Sequence, residues 1–438
     1  MQIPDTLEHR SIADLKPAVR NARTHSKAQI KQIADSIEQF GFTNPVLMDA
    51  ADRIIAGHGR VEAAKLLGLE TVPTLRLDHL SDAQVHAYVL ADNKIAENAG
   101  WDEELLALEL QYLDSLDLDF DLTITGFEMA EIDAMLVLDP DTEEENVPEP
   151  SEGPAVTRPG DLWLIGEHRL YCGDATKPGS YEALFEGSKP AQMIFTDPPY
   201  NVPISGHVCG LGSVQHREFE MAAGEMSGEQ FEAFLRSVCD NLAASSIDGS
   251  IHYICMDWRH MGEVLRAGEA AYDELKNLCV WSKTNGGMGS LYRSQHELVF
   301  VFKNGTKPHI NNVKLGKHGR YRTNVWEYAG INSFGENRDE ELATHPTVKP
   351  VKLVEDAILD CSKRGGIILD AFAGSGTTLI AAHRAGRVGY GLELDPAYCD
   401  VIVKRMQAET GLKAKLAGSD VAFDDRSSSD QPKEPANV

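Results

Sequence analysis

The sequence predicts an α/β protein in two units: a doubly wound open sheet in the larger one and a smaller α+β unit in front of it. Three observations carry this. Between residues 159 and 411, short apolar runs of strand length alternate with segments of helical periodicity. One of those runs ends in a glycine turn that opens a helix, the signature of a ligand-binding strand-to-helix corner. An acid- and proline-rich stretch at 139–158, without periodic apolar residues, separates the units as a solvated linker.

In the front unit, Ile30, Ile33, Ala34, Ile37 and Phe40 form a helical stripe, and residues 45–48 read as a strand. A turn at 50–52 returns the chain through Ile54 and Ile55 into Gly57-His58-Gly59-Arg60 and a helix over 61–67. Gly57 and Gly59 let backbone approach a phosphate, and Arg60 near a helix start can bind one. A plain strand-to-helix corner explains the same residues equally well. Residues 101–138 read as mostly helical and complete a unit spanning 1–138, whereas 412–438 lose apolar periodicity and are expected to form a disordered tail.

The larger unit carries Asp197-Pro198-Pro199-Tyr200 at the end of the apolar run Met193-Ile194-Phe195-Thr196. Two prolines fix the backbone and withhold N–H donors, so carbonyls are left facing a substrate. An exocyclic amino nitrogen shares its lone pair with its ring and attacks a methyl sulfonium poorly. Acceptors such as Asp197 and the Pro198 carbonyl can draw its hydrogens out of plane, while Tyr200 offers a flat face to an extruded base. The tetrapeptide therefore points to methyl transfer onto an amino group.

Downstream, residues 365–370 read as a buried strand and Ala371-Phe372-Ala373-Gly374-Ser375-Gly376-Thr377-Thr378 as a glycine turn opening a helix. The turn lacks the Lys of a phosphate-binding loop, which disfavours a nucleoside triphosphate. A nucleoside with an amino-acid tail fits better, because the strand at 388–394 carries Glu393 where doubly wound sheets hold ribose hydroxyls. Between the two motifs, residues 231–242 and 263–271 read as helices, and 247–256, 278–281 and 298–302 as strands. Met256 and Trp258 then fall at a strand's carboxyl end.

A chain of 438 residues, 42% hydrophobic, can bury two cores. No stretch is long and apolar enough to cross a bilayer and the first ten residues are polar, so a cytoplasmic enzyme with reduced thiols is expected. His207, His216 and His252 match no ligand spacing, and no metal is assigned. The net charge of −27 is awkward for a nucleic-acid partner. Lys303, Lys307, Lys314, Lys317, Arg320 and Arg322, however, fall in a stretch without an acid, suited to DNA phosphates.

On these motifs, residues 159–411 resemble an amino-group DNA methyltransferase of the permuted class, in which the catalytic tetrapeptide precedes the cofactor motif. The resemblance implies a Rossmann-like fold, S-adenosylmethionine as cofactor, and catalysis by Asp197, Pro198, Pro199 and Tyr200. It places Asp370, Phe372, Gly374, Gly376 and Thr377 on the methionine part, Glu393 on the ribose, and Asp174 near the adenine. In His345-Pro346-Thr347-Val348-Lys349-Pro350, Thr347 and Lys349 would sit near the cofactor carboxylate. Segments 201–225 and 283–343 would contact DNA and read its sequence. Asp before Pro-Pro-Tyr tilts the resemblance toward adenine N6, with cytosine N4 the alternative. The partner is double-stranded DNA, and a homodimer is left open.

Residues 9–98 resemble the ParB/sulfiredoxin-like N-terminal domain, with Gly57-His58-Gly59-Arg60 at its phosphate-binding motif. His58 stands where partition proteins carry an acid, and no partition-type helix-turn-helix is legible behind it. Such fusions resemble phage, prophage and restriction-modification proteins. A different class remains open: a ParB-like adaptor, binding DNA or nucleotide, whose methyltransferase half binds cofactor without turnover.

Overall fold

The computed structural model describes residues 6–18, 23–114, 116, 118–136, 150, 153–202, 224–284, 291–314, 320–329, 349–419 and 421–429. It divides into two compact units, Met1–Leu138 and Asp139–Val438.

The front unit starts with β1 (Leu7–Ser11), α1 (Lys27–Phe40), β2 (Val46–Met48) and β3 (Ile54–Ala56). It continues through α2 (His58–Leu66), β4 (Thr71–Arg76) and α3 (Asp82–Glu97). The strands form one sheet in the order β1-β4-β2-β3, with β2 and β4 parallel. Ser26 caps α1 by accepting from the Gln29 N–H, and the helix stops at Gly41, where φ is +78°. Val46, Met48, Ile54, Val61, Ala64 and Val72 close the small core. The helical extension expected after residue 100 comprises α4 (Glu103–Asp114) and α5 (Met129–Leu136).

The larger unit is built on a ten-stranded sheet. In chain order its first half is β5 (Leu162–Ile165), β6 (His168–Cys172), α6 (Pro178–Leu184), β7 (Ala191–Thr196), α7 (Gly228–Ala244), β8 (Ser246–Met256) and α8 (Met261–Ala271). Then come β9 (Glu274–Ser282), β10 (His296–Lys303), β11 (Val325–Glu327), α9 (Val351–Cys361), β12 (Ile367–Asp370) and α10 (Thr377–Arg384). The chain ends through β13 (Val388–Glu393), α11 (Pro396–Thr410), β14 (Lys415–Leu416) and α12 (Phe423–Ser429).

The sheet order is β11-β9-β10-β8-β7-β12-β13-β6-β5-β14, and the run from β8 to β6 is parallel. Strands buried on both faces take apolar residues toward either side, and the central strands do so along most of their length. In β7, Met193 and Phe195 pack with α9 on one face, while Ile194 packs with α7 on the other. In β8 and β10, Tyr253, Cys255 and Val299 take the first side, and Ile254, Met256 and Phe300 the second. The chain leaves β7 toward β8 but leaves β12 in the opposite direction toward β13. A crevice therefore opens between the carboxyl ends of β7 and β12, at the switch point of the sheet.

Two boundary expectations change. The region expected to be a disordered tail is ordered as far as Ser429: β14 pairs antiparallel with β5, and Phe423 is buried edge-on against Trp163 at 5.3 Å. Arg426 adds an ion pair to Asp161 at 2.7 Å. Strand pairing, a buried aromatic and an ion pair together hold it, contacts that charge and serine content obscure in the sequence. The end of the expected linker is also held, because Asp400 of α11 accepts from the Val156 and Thr157 N–H groups at 2.7 and 2.9 Å.

Gly268 in α8 lies against the Phe302 ring so closely that a Cβ there would sit 2.2 Å from the ring tip, and Phe302 is fully buried. Gly268→Ala gains about 1 kcal/mol of helix propensity but overpacks the core by roughly 1–3 kcal/mol. A lowered thermal midpoint is expected; a raised one would show that the ring has room to yield.

Candidate functional site

The site lies at the carboxyl edge of β7, β12 and β13. Asp370 ends β12 and accepts three bonds: Thr196 Oγ1 at 2.8 Å and the Phe372 N–H at 3.0 Å on one oxygen, Thr378 Oγ1 at 2.6 Å on the other. Thr196 is the residue before the Asp197–Tyr200 tetrapeptide. The Asp370 carboxylate therefore ties β7, the glycine turn and the start of α10 together, at the strand end where the resemblance places the methionine part of the cofactor. Burial drives the Asp370 carboxyl up to about 6 against these donors.

The glycine turn has left-handed backbone at Gly374 (φ +52°) and Gly376 (φ +87°). A Cβ on Gly376 would meet the Ile402 side chain at 3.0 Å, so this glycine lets α10 close on α11. A Cβ on Gly374 would find only the Phe372 carbonyl at 3.9 Å; here the backbone faces open space, as close approach of a ligand requires. Phe372 tilts against Phe234 at 5.9 Å, and Thr377 is buried at the helix start with its hydroxyl 3.4 Å from that of Ser375.

Glu393 ends β13 and accepts from the Gly374 N–H at 2.8 Å and the Asp395 N–H at 2.9 Å, one on each oxygen. A carboxylate has about four lone-pair sites, so capacity remains for a pair of vicinal hydroxyls. Asp174, after β6, caps its own turn through Thr176 on the same edge, and the Gly173 N–H beside it bonds the Glu393 carbonyl at 2.9 Å. Carboxylate acceptors, bare glycine backbone and no lysine behind Gly376 fit a nucleoside with an amino-acid tail, as the sequence suggested.

The tetrapeptide Asp197–Tyr200 forms a tight polar cluster. The Tyr200 hydroxyl donates to Asp197 Oδ1 at 2.6 Å, and the Lys349 ammonium donates to Asp197 Oδ2 at 2.5 Å. Lys349 also pairs with Glu297 Oε2 at 2.8 Å, and Lys283 holds the other Glu297 oxygen. Lys349 thus reaches the Asp197 carboxylate; Thr347 lies outside the described residues. Burial pushes the Glu297 carboxyl up, but its two ammonium partners outweigh this and hold it at about 2. Burial and the Glu297 charge push Asp197 upward, opposed by Lys349. Asn201 staples the next loop by its ends, accepting from the Gly224 and Met226 N–H groups and donating to the Met226 carbonyl. Residues 203–223 between them lie outside the described residues.

Sequence reasoning missed Glu297, Lys283 and Thr196. A charged residue heading an apolar strand, as in His296-Glu297-Leu298, was the available signal for Glu297. Of the expected DNA cations, Lys303, Arg320 and Arg322 are placed elsewhere, while Lys307 and Lys314 are exposed. β10 runs antiparallel to β8, so its end, Lys303, pairs with Ile251 at the edge of the sheet opposite the catalytic one. Lys303 is buried and Lys307 faces Asp248 at 3.9 Å. Lys314 sits where Asn312 is bonded to the last turn of α9, and Lys317 lies outside the described residues. Arg320 and Arg322 are sunk against Asp360, at 2.6 and 3.0 Å, as structural cations on α9.

In the front unit, Gly57 caps α2 with φ +98°, and Arg60 folds back to donate to the Asn44 carbonyl at 3.0 Å. Gly59 is closely packed: a Cβ there would lie 3.1 Å from the side chains of His25 and Ile33 in the α1 region. Among the described residues no cluster of three or more metal-ligating side chains occurs, and no helix is long and apolar enough to cross a membrane.

Comparison with known proteins matches residues 191–404 to a DNA methylase family of the N6/N4 type and residues 4–94 to the ParB N-terminal domain. Residues 104–159 match a ParB-methyltransferase HTH domain, which corrects the expectation that no helix-turn-helix follows the front domain. The type II methyltransferase M2.DpnII of Streptococcus pneumoniae is 31% identical over 232 residues, covering 50% of this chain and 82% of that protein. The ParB-like nuclease domain-containing protein YnaK of Escherichia coli is 51% identical over 76 residues, 17% of this chain and 87% of that protein. Among solved structures, the cytosine-N4-specific PvuII DNA methyltransferase aligns at a TM-score of 0.40 and 16% identity, covering 57% of this chain and 93% of that one.

Two outcomes follow from the geometry. Burial raises the Glu393 carboxyl from near 4.5 to about 7. In that window the folded chain keeps a proton that the unfolded chain has lost, so stability falls as pH rises through it. Glu393→Gln should remove on the order of 1–3 kcal/mol of that fall; parallel midpoint-versus-pH curves for both proteins without ligand would refute it. Arg322→Met leaves Asp360 short of a partner and should cost about 3–5 kcal/mol. Unchanged melting with weakened DNA binding would instead restore Arg322 to the DNA surface.

Proposed function

The chain belongs to the N6/N4 DNA methylase family, with a ParB N-terminal domain fused in front, and from that premise we propose that it methylates the exocyclic N6 of adenine at a defined site in double-stranded DNA. The observation that supports it most is the placement of Asp197 beside Asp370 and the glycine turn, on adjacent parallel strands joined by the Thr196–Asp370 bond. S-adenosylmethionine supplies the methyl sulfonium. Glu393 is proposed to hold its ribose hydroxyls, and the backbone at Gly374 to line its amino-acid end.

The target base must leave the duplex, at a cost of roughly a few kcal/mol. Tyr200 offers its ring to the extruded base, and Asp197 with the Pro198 carbonyl takes the amino hydrogens. This frees the nitrogen lone pair and aims it along the crevice. A fixed approach converts an encounter into a first-order step. DNA is proposed to come to the carboxyl edge, where Trp258 is half exposed with Arg259 stacked on it at 5.2 Å. Asp before Pro-Pro-Tyr favours adenine over cytosine N4. Gly57 and Arg60 are the front unit's candidates for holding a phosphate.

The test is incubation with unmethylated DNA and methyl-labelled S-adenosylmethionine, followed by digestion and mass spectrometry of the nucleosides. N6-methyladenine is expected from the wild type, with a loss of at least about 100-fold in Asp197→Ala and little change in donor affinity. N4-methylcytosine would keep the mechanism and change the base. No labelled nucleoside on varied DNA would favour the cofactor-binding adaptor.

A further inference from the structure

Each oxygen of Asp197 already carries a donor: Oδ1 the Tyr200 hydroxyl and Oδ2 the Lys349 ammonium. A target amino group that needs this carboxylate competes with both for its lone pairs, and its approach favours moving one of them aside. Glu297 stands where the displaced group can go. Its Oε2 lies 2.8 Å from Lys349 Nζ and 3.1 Å from the Tyr200 hydroxyl, so each donor already bridges the two carboxylates. Lys349 is almost fully buried, over the Tyr200 and Trp281 rings at 5.6 and 5.7 Å. An ammonium so enclosed has no water to retreat to, and losing Asp197 without another acceptor would strand a buried charge.

We propose that Glu297 is a positioning residue that receives Lys349 when the target amino group takes Asp197, and that Lys283 holds Glu297 in place for the exchange. This rests on the reading of Asp197 as the acceptor of the target amine. The chain Asp197, Lys349, Glu297, Lys283 alternates in sign and sums to zero, so moving the ammonium a short way between carboxylates leaves the buried charge balanced. Among the described residues, the other titratable groups facing Asp197 are Tyr200, Cys255 of β8 and Asp370 of β12. Cys255 and Tyr200 are held well above their ordinary values by burial and stay neutral.

The test compares the full-length wild type with Glu297→Gln and Glu297→Asp, measuring methyl transfer to DNA as a function of pH and the thermal midpoint of each. Without the Glu297 charge, Lys349 stays on Asp197. The plateau kcat should fall about 10–100-fold, the range of one well-placed polar group, while the KM for the donor changes little. The acid limb of the kcat profile should move down by about one unit, because Asp197 loses a repelling neighbour and keeps an undivided cation. Glu297→Asp should return the limb toward its wild-type position. A limb that stays or rises in Glu297→Gln overturns the inference, including the case where rate and midpoint fall together as for a purely structural residue. If the wild type itself transfers no methyl group, the reading of Asp197 fails and this inference goes with it.

Discussion

The Asp370 carboxylate is the joint on which the rest of the large unit depends. Buried at the end of β12, it can remain there only if its lone pairs are met, and Thr196, Thr378 and the Phe372 N–H meet them. Because Thr196 belongs to β7 and Thr378 to α10, meeting that requirement fixes the Asp197–Tyr200 tetrapeptide against the glycine turn. Two motifs more than 170 residues apart in sequence become the two walls of one crevice. The parallel sheet places them side by side, and the carboxylate sets how they meet.

The second organising feature is how the chain handles buried charge. Lys349, Glu297, Lys283 and Asp197 form one alternating cluster at the catalytic edge, and Arg320, Arg322, Asp356 and Asp360 form another around α9. In both, opposite charges are close enough for mutual attraction to offset lost hydration, and Tyr328 or Tyr200 supplies a further hydrogen bond. A stretch that reads as a basic surface in one dimension, from Lys303 to Arg322, therefore spends its two arginines on acids contributed by a helix some forty residues away. Runs of like charge in a sequence say nothing about which acids fold back upon them.

Much of the fold was legible because it rests on local rules. Strands buried on both faces read as continuous apolar runs, so β7, β8, β10 and β13 were found with their ends displaced by only a few residues. The stripe from Ile30 to Phe40 marked α1, and the tetrapeptide and glycine turn marked the site. The ordered chain after Leu412 was missed because what holds it, the pairing of β14 with β5, Phe423 on Trp163 and Arg426 on Asp161, lies far upstream in sequence. Gly59 was open to two readings, and contact with His25 and Ile33, another part of the chain, supports packing.

The sequence by itself determined the chemistry that each motif could perform: proline-framed carbonyls and a carboxylate for an amino group, glycine backbone and a terminal acid for a nucleoside. Those properties belong to residue types and their immediate neighbours, which covalent order preserves. Only the tertiary structure decided which groups share a site. Lys349 meets Asp197, Glu297 arrives from an antiparallel strand, and Lys303 lies at the far edge because β10 runs against β8. Strand direction and register are properties of the assembled sheet, set by which runs pair. No local pattern along the chain encodes that pairing.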